Sequence, residues 1–225
     1  MINSGIDINH VNHDGETALI YCIKKGYPKP FQYLPSNPNI DINVVDNSGR
    51  TAAMYLVERG RRDEFLSLLK KNCNLEYVDV NNNALVLSIL LNKMYNYEFD
   101  HRYPVTYDTY IRMFVALVSL SNYQIYFNIS VDDDENTAFM IILSMNDLDT
   151  IAFCAKRMGC LDLSIKNKYG ENATSPCVKL RNRKVFNFIK DNITFNYYYR
   201  DPVNQNTLLM LSVMNNCVFM GNLLI

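Results

Sequence analysis

The chain of 225 residues has no tryptophan, three histidines, eight glycines and seven prolines. Each scarcity excludes something. So few histidines, and six cysteines of which none form a C-x-x-C pair, leave no ligand spacing for a structural zinc site. Neither sign of charge is in excess: Lys+Arg 22 against Asp+Glu 23 gives a net charge of −1, which offers no general electrostatic footprint for nucleic acid or an anionic membrane. The first residues contain no basic stretch followed by an apolar run, so no secretory leader is expected. The longest apolar run, MFVALVSL at 113–120, is far too short for a transmembrane segment. No glycine-rich loop of the phosphate-cradling kind occurs. His10 and His13, three apart, have no further ligand at metal spacing, and His101 stands beside no serine elbow or paired cysteine. The acidic run DDDE at 132–135 lacks the twelve-residue spacing, central glycine and terminal glutamate of a calcium loop. No catalytic residue, metal or cofactor is therefore expected, and the chain does not read as an enzyme.

What is present is apolar and periodic. Hydrophobic residues make up 48% of the chain and aromatics 12%, enough for a packed interior. Cys22, Cys154, Cys177 and Cys217 lie in apolar helical patterns, where a thiol behaves as a small hydrophobe, so the cysteines are expected reduced and the protein intracellular, in cytoplasm or nucleus. The segment NHDGETALIYCIKKG from Asn12 is matched by DNSGRTAAMYLVERG from Asp46, 34 residues on. Each has Asp or Asn, two variable residues, Gly, one variable residue, Thr, an apolar helix and a closing Gly. Further copies begin near Asp79, Asp132, Asn167 and Asp201, all at steps of 33–35 except the step into Asp132, which is 53. That excess of about 20 residues marks an insertion at about 92–106 within the third copy.

In the second copy, Gly49 falls where a sharp turn favours positive φ, Thr51 is placed to cap the helix AAMYLVE, and Gly60 to end it. RDEFLSLLKKN gives a second helix with Phe65, Leu68 and Leu69 on one face. One pair of short helices cannot bury so much apolar surface, but stacked copies can.

This unit resembles the ankyrin repeat, a β-turn finger followed by two antiparallel helices over about 33 residues. The resemblance is strong in copies one, two and four and weaker in three, five and six. The family's Thr-Pro-Leu-His tetrapeptide reads Thr17-Ala18-Leu19-Ile20, Thr51-Ala52-Ala53-Met54 and Thr137-Ala138-Phe139-Met140. Copy three has Asn82 in place of the turn glycine and Ala84 in place of threonine, and copy five has Asn172 there. The lost histidines imply weaker hydrogen bonding between repeats, replaced by apolar packing. The resemblance implies an all-α solenoid of about six repeats forming a single domain over 1–225. NSGIDIN at 3–9 and NCVFMGNLLI at the other end read as parts of repeats, which suggests a longer parent polypeptide.

It also implies a non-enzymatic module that binds partner proteins on a concave face of finger tips and first-helix ends. Carried onto this sequence, those positions are His13, Asp14, Glu16, Lys24 and Lys25 in repeat one, and Asn47, Ser48, Arg50, Glu58 and Arg59 in repeat two. Repeat three contributes Val80, Asn81, Asn83, Leu91 and Asn92. Repeat four contributes Asp133, Asp134, Asn136, Ser144 and Met145, and repeat five Lys168, Tyr169, Glu171, Lys179 and Leu180. The sign of charge changes along this series, which suits a partner of patterned charge. In the insertion, Tyr95, Tyr97, Phe99, Arg102 and Tyr103 combine aromatic and arginine content of the kind interface hot spots favour. The alternatives are packing of these aromatics on the array and, for the whole chain, a regulatory ankyrin segment of a larger enzyme, exchange factor or transcription regulator. The basic cluster KLRNRK at 179–184 is expected to be a solvated inter-helix turn, and Tyr197–Tyr199 to pack.

Overall fold

The computed structural model describes residues 6–75, 86–97, 105–120, 125–157, 161–179, 181–193, 196–217, 219 and 221–222. Its contacts divide the chain into two compact units, Met1–Ser121 and Asn122–Ile225. The architecture is all-α: among the described residues no strand forms, and isolated bridges such as Val11–Thr17 and Val45–Thr51 close the turns.

The first unit contains α1 (Ala18–Lys25), α2 (Pro28–Tyr33), α3 (Ala52–Glu58), α4 (Arg62–Leu69), α5 (Val86–Tyr95) and α6 (Tyr107–Leu120). Each odd-numbered helix packs on the helix that follows it. The odd-numbered helices also stack on one another, α1 on α3 and α3 on α5, and α4 stacks on α6. Phe65, Leu68 and Leu69 are all buried on the core face of α4, as their spacing requires. The second unit contains α7 (Ala138–Ser144), α8 (Leu148–Arg157), α9 (Thr174–Lys179), α10 (Arg183–Asn192) and α11 (Leu208–Met214). There α7, α9 and α11 stack in that order, and α8 packs on α10.

The helices are short, so their ends matter. The hydroxyls of Thr17, Thr51, Thr137 and Thr207 accept from the N–H groups of Ile20, Met54, Met140 and Met210. In the fifth copy Asn172 takes this place, its Oδ1 accepting from Thr174 N at 3.0 Å. Each cap satisfies a backbone donor that the helix itself cannot.

The finger preceding each cap is built around one side chain. Asp46 Oδ1 accepts from Ser48 N at 2.9 Å and Arg50 N at 3.0 Å. Asn12, Asp132 and Asn167 repeat that pair of bonds in their own fingers. A short carboxylate or amide is what reaches back over such a turn. Gly49 has φ 73°, and at the equivalent place in the fourth finger the left-handed residue is Glu135, φ 58°.

Asparagines supply many of the hydrogen bonds between repeats. Asn9 donates to Asn39 O at 2.8 Å and accepts from Asp41 N at 2.7 Å, while Asn43 accepts from Asn74 N at 2.6 Å. In the second unit Asn128 accepts from Asp162 N and Asn182 donates to Asn146. The sequence reading expected apolar packing to replace the missing histidines. Ile20, Met54 and Met140 at those places are indeed buried, but polar coupling persists through asparagines spaced 30–36 residues from their partners.

Residues 92–95 of the expected insertion form the last turn of α5, and 98–104 lie outside the described residues. The two flanks of that stretch are fixed. Tyr97 donates its hydroxyl to Val105 O at 3.0 Å, and its ring meets Tyr107 and Tyr110 edge-on at 5.7 and 6.4 Å. Val105 in turn lies against Gly60, where any Cβ would collide with its methyl groups.

Candidate functional site

In the first unit the candidate positions surround Tyr55. Its hydroxyl donates to Asp46 Oδ2 at 2.5 Å, and two cations flank its ring, Lys24 Nζ at 5.1 Å and the Arg50 guanidinium at 4.7 Å. Lys24 forms an ion pair with Glu16 and lies 3.9 Å from Asp46, and Arg50 pairs with Glu58 at 3.0 Å. Burial, then the Asp46 carboxylate, hold the Tyr55 phenol above its ordinary pKa. The bond from Lys24, outweighing burial, pulls the Glu16 carboxyl below its usual range, and the same bond raises Lys24.

These shifts have opposite consequences with pH. The depressed Glu16 contributes stability above the unfolded carboxyl pKa of about 4.3 and loses it as pH falls through its lower folded value. The raised Lys24 contributes below its unfolded pKa and loses that as pH rises through the higher folded one. Glu16→Gln should therefore flatten the acid limb of a Tm-against-pH curve, and an unchanged limb would show the pair to be without weight.

The site residues thus divide. Glu16 is only 6% exposed and is occupied with Lys24. Lys24, Arg50 and Glu58 are half-buried in the network around Tyr55. His13, Asp14, Lys25, Asn47, Ser48 and Arg59 are exposed at finger tips and helix ends. The first two fingers are also tied together, Asn47 donating its backbone N–H to Asp14 O at 3.0 Å and its side chain to His13 O at 2.9 Å. Their tips are held in register.

The second unit repeats this with different residues. Lys168 donates its backbone N–H to Asp134 O and its Nζ to Asp133 O, each at 3.1 Å, and pairs with the Asp134 carboxylate at 2.5 Å. Tyr169 donates its hydroxyl to the same carboxylate at 3.1 Å. Asn167 Nδ2 donates to Asn136 Oδ1 at 2.9 Å, and Glu171 is held by Lys179 at 2.6 Å. The acidic fourth finger and basic fifth finger therefore pair with each other across the stack. Asp133 and the Tyr169 ring remain exposed. Tyr95 is exposed and Tyr97 half-buried, while Asn81, Asn83, Phe99, Arg102 and Tyr103 lie outside the described residues.

Of the other motifs, Arg181 and Asn182 of KLRNRK lead into α10, where Asn182 Oδ1 accepts from Lys184 N and Val185 N. Among Tyr197–Tyr199, Tyr199 is buried, and Tyr198 is almost fully exposed. Sequence reasoning missed Asp46 and Tyr55 as the centre of the first-unit network. The recurring Asp or Asn opening each finger was visible as a pattern, but its link to Tyr55, nine residues on, was not.

Among the described residues no three His, Cys, Asp or Glu side chains gather as a metal site, and no helix is long and apolar enough to cross a membrane.

Residues 1–84 match the family model described as ankyrin repeats, three copies. No curated protein matches the chain. Similar solved structures include a chain from the complex of the predatory endopeptidase Bd0816 from Bdellovibrio bacteriovorus with the immunity protein Bd3460, at 19% identity and TM-score 0.66, covering 92% of this chain and 98% of that one. The ankyrin repeat protein EF0377 matches at 11% identity and TM-score 0.65, covering 97% of this chain and 98% of that one. The ankyrin repeat domain of human ASB11 matches at 14% identity and TM-score 0.60, covering 96% and 87%. At these identities the likeness speaks for the fold.

Proposed function

We propose that this chain, whose residues 1–84 match ankyrin repeats and whose fold is like that of ankyrin-repeat structures, is a non-enzymatic scaffold that docks a partner protein on its finger tips and first-helix ends. The observation that carries this reading is the finger-to-finger bonding. Asn47 to Asp14 and His13, and Lys168 to Asp134 and Asp133, hold exposed side chains in fixed relative positions without any partner present. Such preorganisation lowers the ordering cost of association. In the first unit the contact residues are His13, Asp14, Lys25, Asn47, Ser48 and Arg59, with the Arg50–Glu58 pair beside them. In the second they are Asp133, Asn136 and Tyr169, with the Asp134–Lys168 pair. An intracellular setting is part of the proposal, supported by Cys22, Cys73, Cys154 and Cys177, which are buried and form no disulfide.

The ion pairs shape the experiment. Once a partner is identified by cross-linking and mass spectrometry, Arg50→Glu with Glu58→Arg exchanges the two charges while keeping their pair. Melting should fall somewhat, because Arg50→Glu removes the cation over the Tyr55 ring, so affinity is compared at a temperature where both proteins are folded. Affinity should fall about tenfold, and His13→Ala with Asp14→Ala should act in the same direction. Full affinity in both variants would move the site off these fingers.

The insertion is the second part of the proposed face. Its flanks are pinned by Tyr97 and Val105 beside Gly60, next to Glu58 and Arg59. Replacing only 98–104 by a Gly/Ser linker keeps those anchors. Folding should persist and affinity should fall about tenfold, equivalent to about 1.4 kcal/mol. Unchanged affinity would remove the insertion from the site.

A further inference from the structure

The turns that follow α1, α3 and α5 lie at the opposite helix ends from the fingers, and the stacking of α1 on α3 and of α3 on α5 sets them side by side. Two contacts tie this edge together. The Arg61 guanidinium of the second turn lies over the Phe31 ring of α2 at 5.5 Å, and Val105, leading into α6, lies against Gly60. Ion pairing along the edge is one-sided. Among the described residues every carboxylate there is held by a neighbour: Glu58 by Arg50, Glu64 by Arg61, Asp63 by Arg62 and Asp108 by Arg112. Lys25, Lys29, Arg59 and Lys93 have no such partner among the described residues.

Lys25, Lys29 and Arg59 are exposed and Lys93 is half-buried. Lys25 and Arg59 are equivalent, each eight residues after a capping threonine, Thr17 and Thr51. Arg59 stays exposed although α1 and α5 stack on either side of α3, so this place faces solvent within the array. Asp63, 34 residues after Lys29 and equivalent to it, is likewise exposed. The fold does not account for all four charges. Lys25 and Lys93 sit in the last turns of their helices, where a cation is favoured, but Lys29 sits in the first turn of α2, where one is disfavoured.

Stacked helices lie about 8–10 Å apart, so Lys25 and Arg59 present positive charge at about that interval. A peptide in the polyproline II form repeats its side-chain direction every third residue, a rise of about 9 Å. Tyr95, 51% exposed in the last turn of α5, adds an aromatic ring to the edge. Four cations divided among three turns, in a chain of net charge −1, do not make the continuous basic stripe that a polynucleotide needs. We propose that this helix-turn edge binds an extended acidic peptide segment of the partner protein, with carboxylates at about every third residue. The inference rests on reading the chain as a partner-binding scaffold and supplies the chemistry of one contact. Exposed ion pairs are individually weak, so this contact is salt-sensitive.

Fluorescence anisotropy at about 10 mM salt, where screening is slight, tests it. The probes are a labelled peptide carrying glutamate at every third position, its lysine counterpart, and a single-stranded oligonucleotide of similar length. The glutamate peptide should bind and the lysine peptide should not. Lys29→Glu and Arg59→Glu should each weaken binding about tenfold. Lys70→Glu with Lys71→Glu, a larger change of charge at the other end of α4, should weaken it less than about twofold. Circular dichroism should be unchanged in both edge variants, since both side chains are exposed. Arg59→Gln replaces Arg59→Glu if a negative charge at the end of α3 disturbs that helix. A parent chain that binds no glutamate peptide overturns the proposal, as does full affinity in both edge variants or an equal loss in the Lys70 and Lys71 variant. Tighter binding of the oligonucleotide would assign the edge to nucleic acid and also overturn it. None of these outcomes touches the scaffold reading, which is decided by the finger variants and the cross-linked partner.

Discussion

Replacing Phe65 by alanine should cost about 3–5 kcal/mol, the usual range for truncating a fully enclosed aromatic. Phe65 is 0% exposed on α4, a helix that packs on both α3 and α6. Its removal leaves a void lined by several short helices that cannot all collapse onto it. Repeat arrays hold together through neighbour contacts, so the loss should be local before it is global. Denaturant unfolding combined with hydrogen exchange reads both levels: the midpoint should fall, and protection should drop first in α3, α4 and α6. Tyr33→Ala, at a position 73% exposed in the same unit, is the control and should shift stability by about 0.5 kcal/mol or less. If the two variants behaved alike, the assigned core of the first unit would be wrong.

Asp46→Ala should destabilise by about 3 kcal/mol although it removes no apolar packing. Its side chain is almost fully enclosed and accepts from the backbone N–H groups of Ser48 and Arg50 and from the Tyr55 hydroxyl. Alanine leaves those donors unpaired, at about 1–3 kcal/mol for each one that stays buried. It also leaves Lys24 and Arg50 over the Tyr55 ring with one counter-charge fewer. Asp46→Asn separates the two roles. Asparagine performs the turn function at Asn12 and Asn167, so the backbone bonds should survive and only the charge-dependent part, about 1 kcal/mol, should be lost. Equal losses for Ala and Asn would mean that charge dominates. A harmless Asp46→Ala would mean that the finger folds without its carboxylate.

The network also bears on binding. A surface read as alternating charge loses much of that pattern once Lys24 is bonded to Glu16, Arg50 to Glu58 and Lys168 to Asp134. Neutralised pairs at fixed positions offer a partner shape and hydrogen bonds more than net field, and their contribution should change little with salt compared with free charges.

Much of the fold was legible without coordinates because its determinants are local. A threonine that caps, a glycine that turns left-handed and an apolar stretch of seven or eight residues act within one repeat, and copies in register 33–35 residues apart make that local signal additive. Thr17, Thr51 and Thr137 cap where the pattern places them, and Phe65, Leu68 and Leu69 face inward as their spacing requires. Exposed finger tips such as His13, Asp14 and Asn47 followed from the same register. The sequence by itself determined the repeating unit, its helix pairs and the side chains at the finger tips, since each depends on neighbours a few residues away. Only the tertiary structure decided which of those side chains are free. Glu16 is spent on Lys24, Tyr55 gathers Asp46, Lys24 and Arg50, and asparagines some 30–36 residues from their partners carry many of the hydrogen bonds between repeats. Those partners meet only when one repeat stacks on the next, and whether a charge is available or neutralised depends on a distance that no single repeat contains.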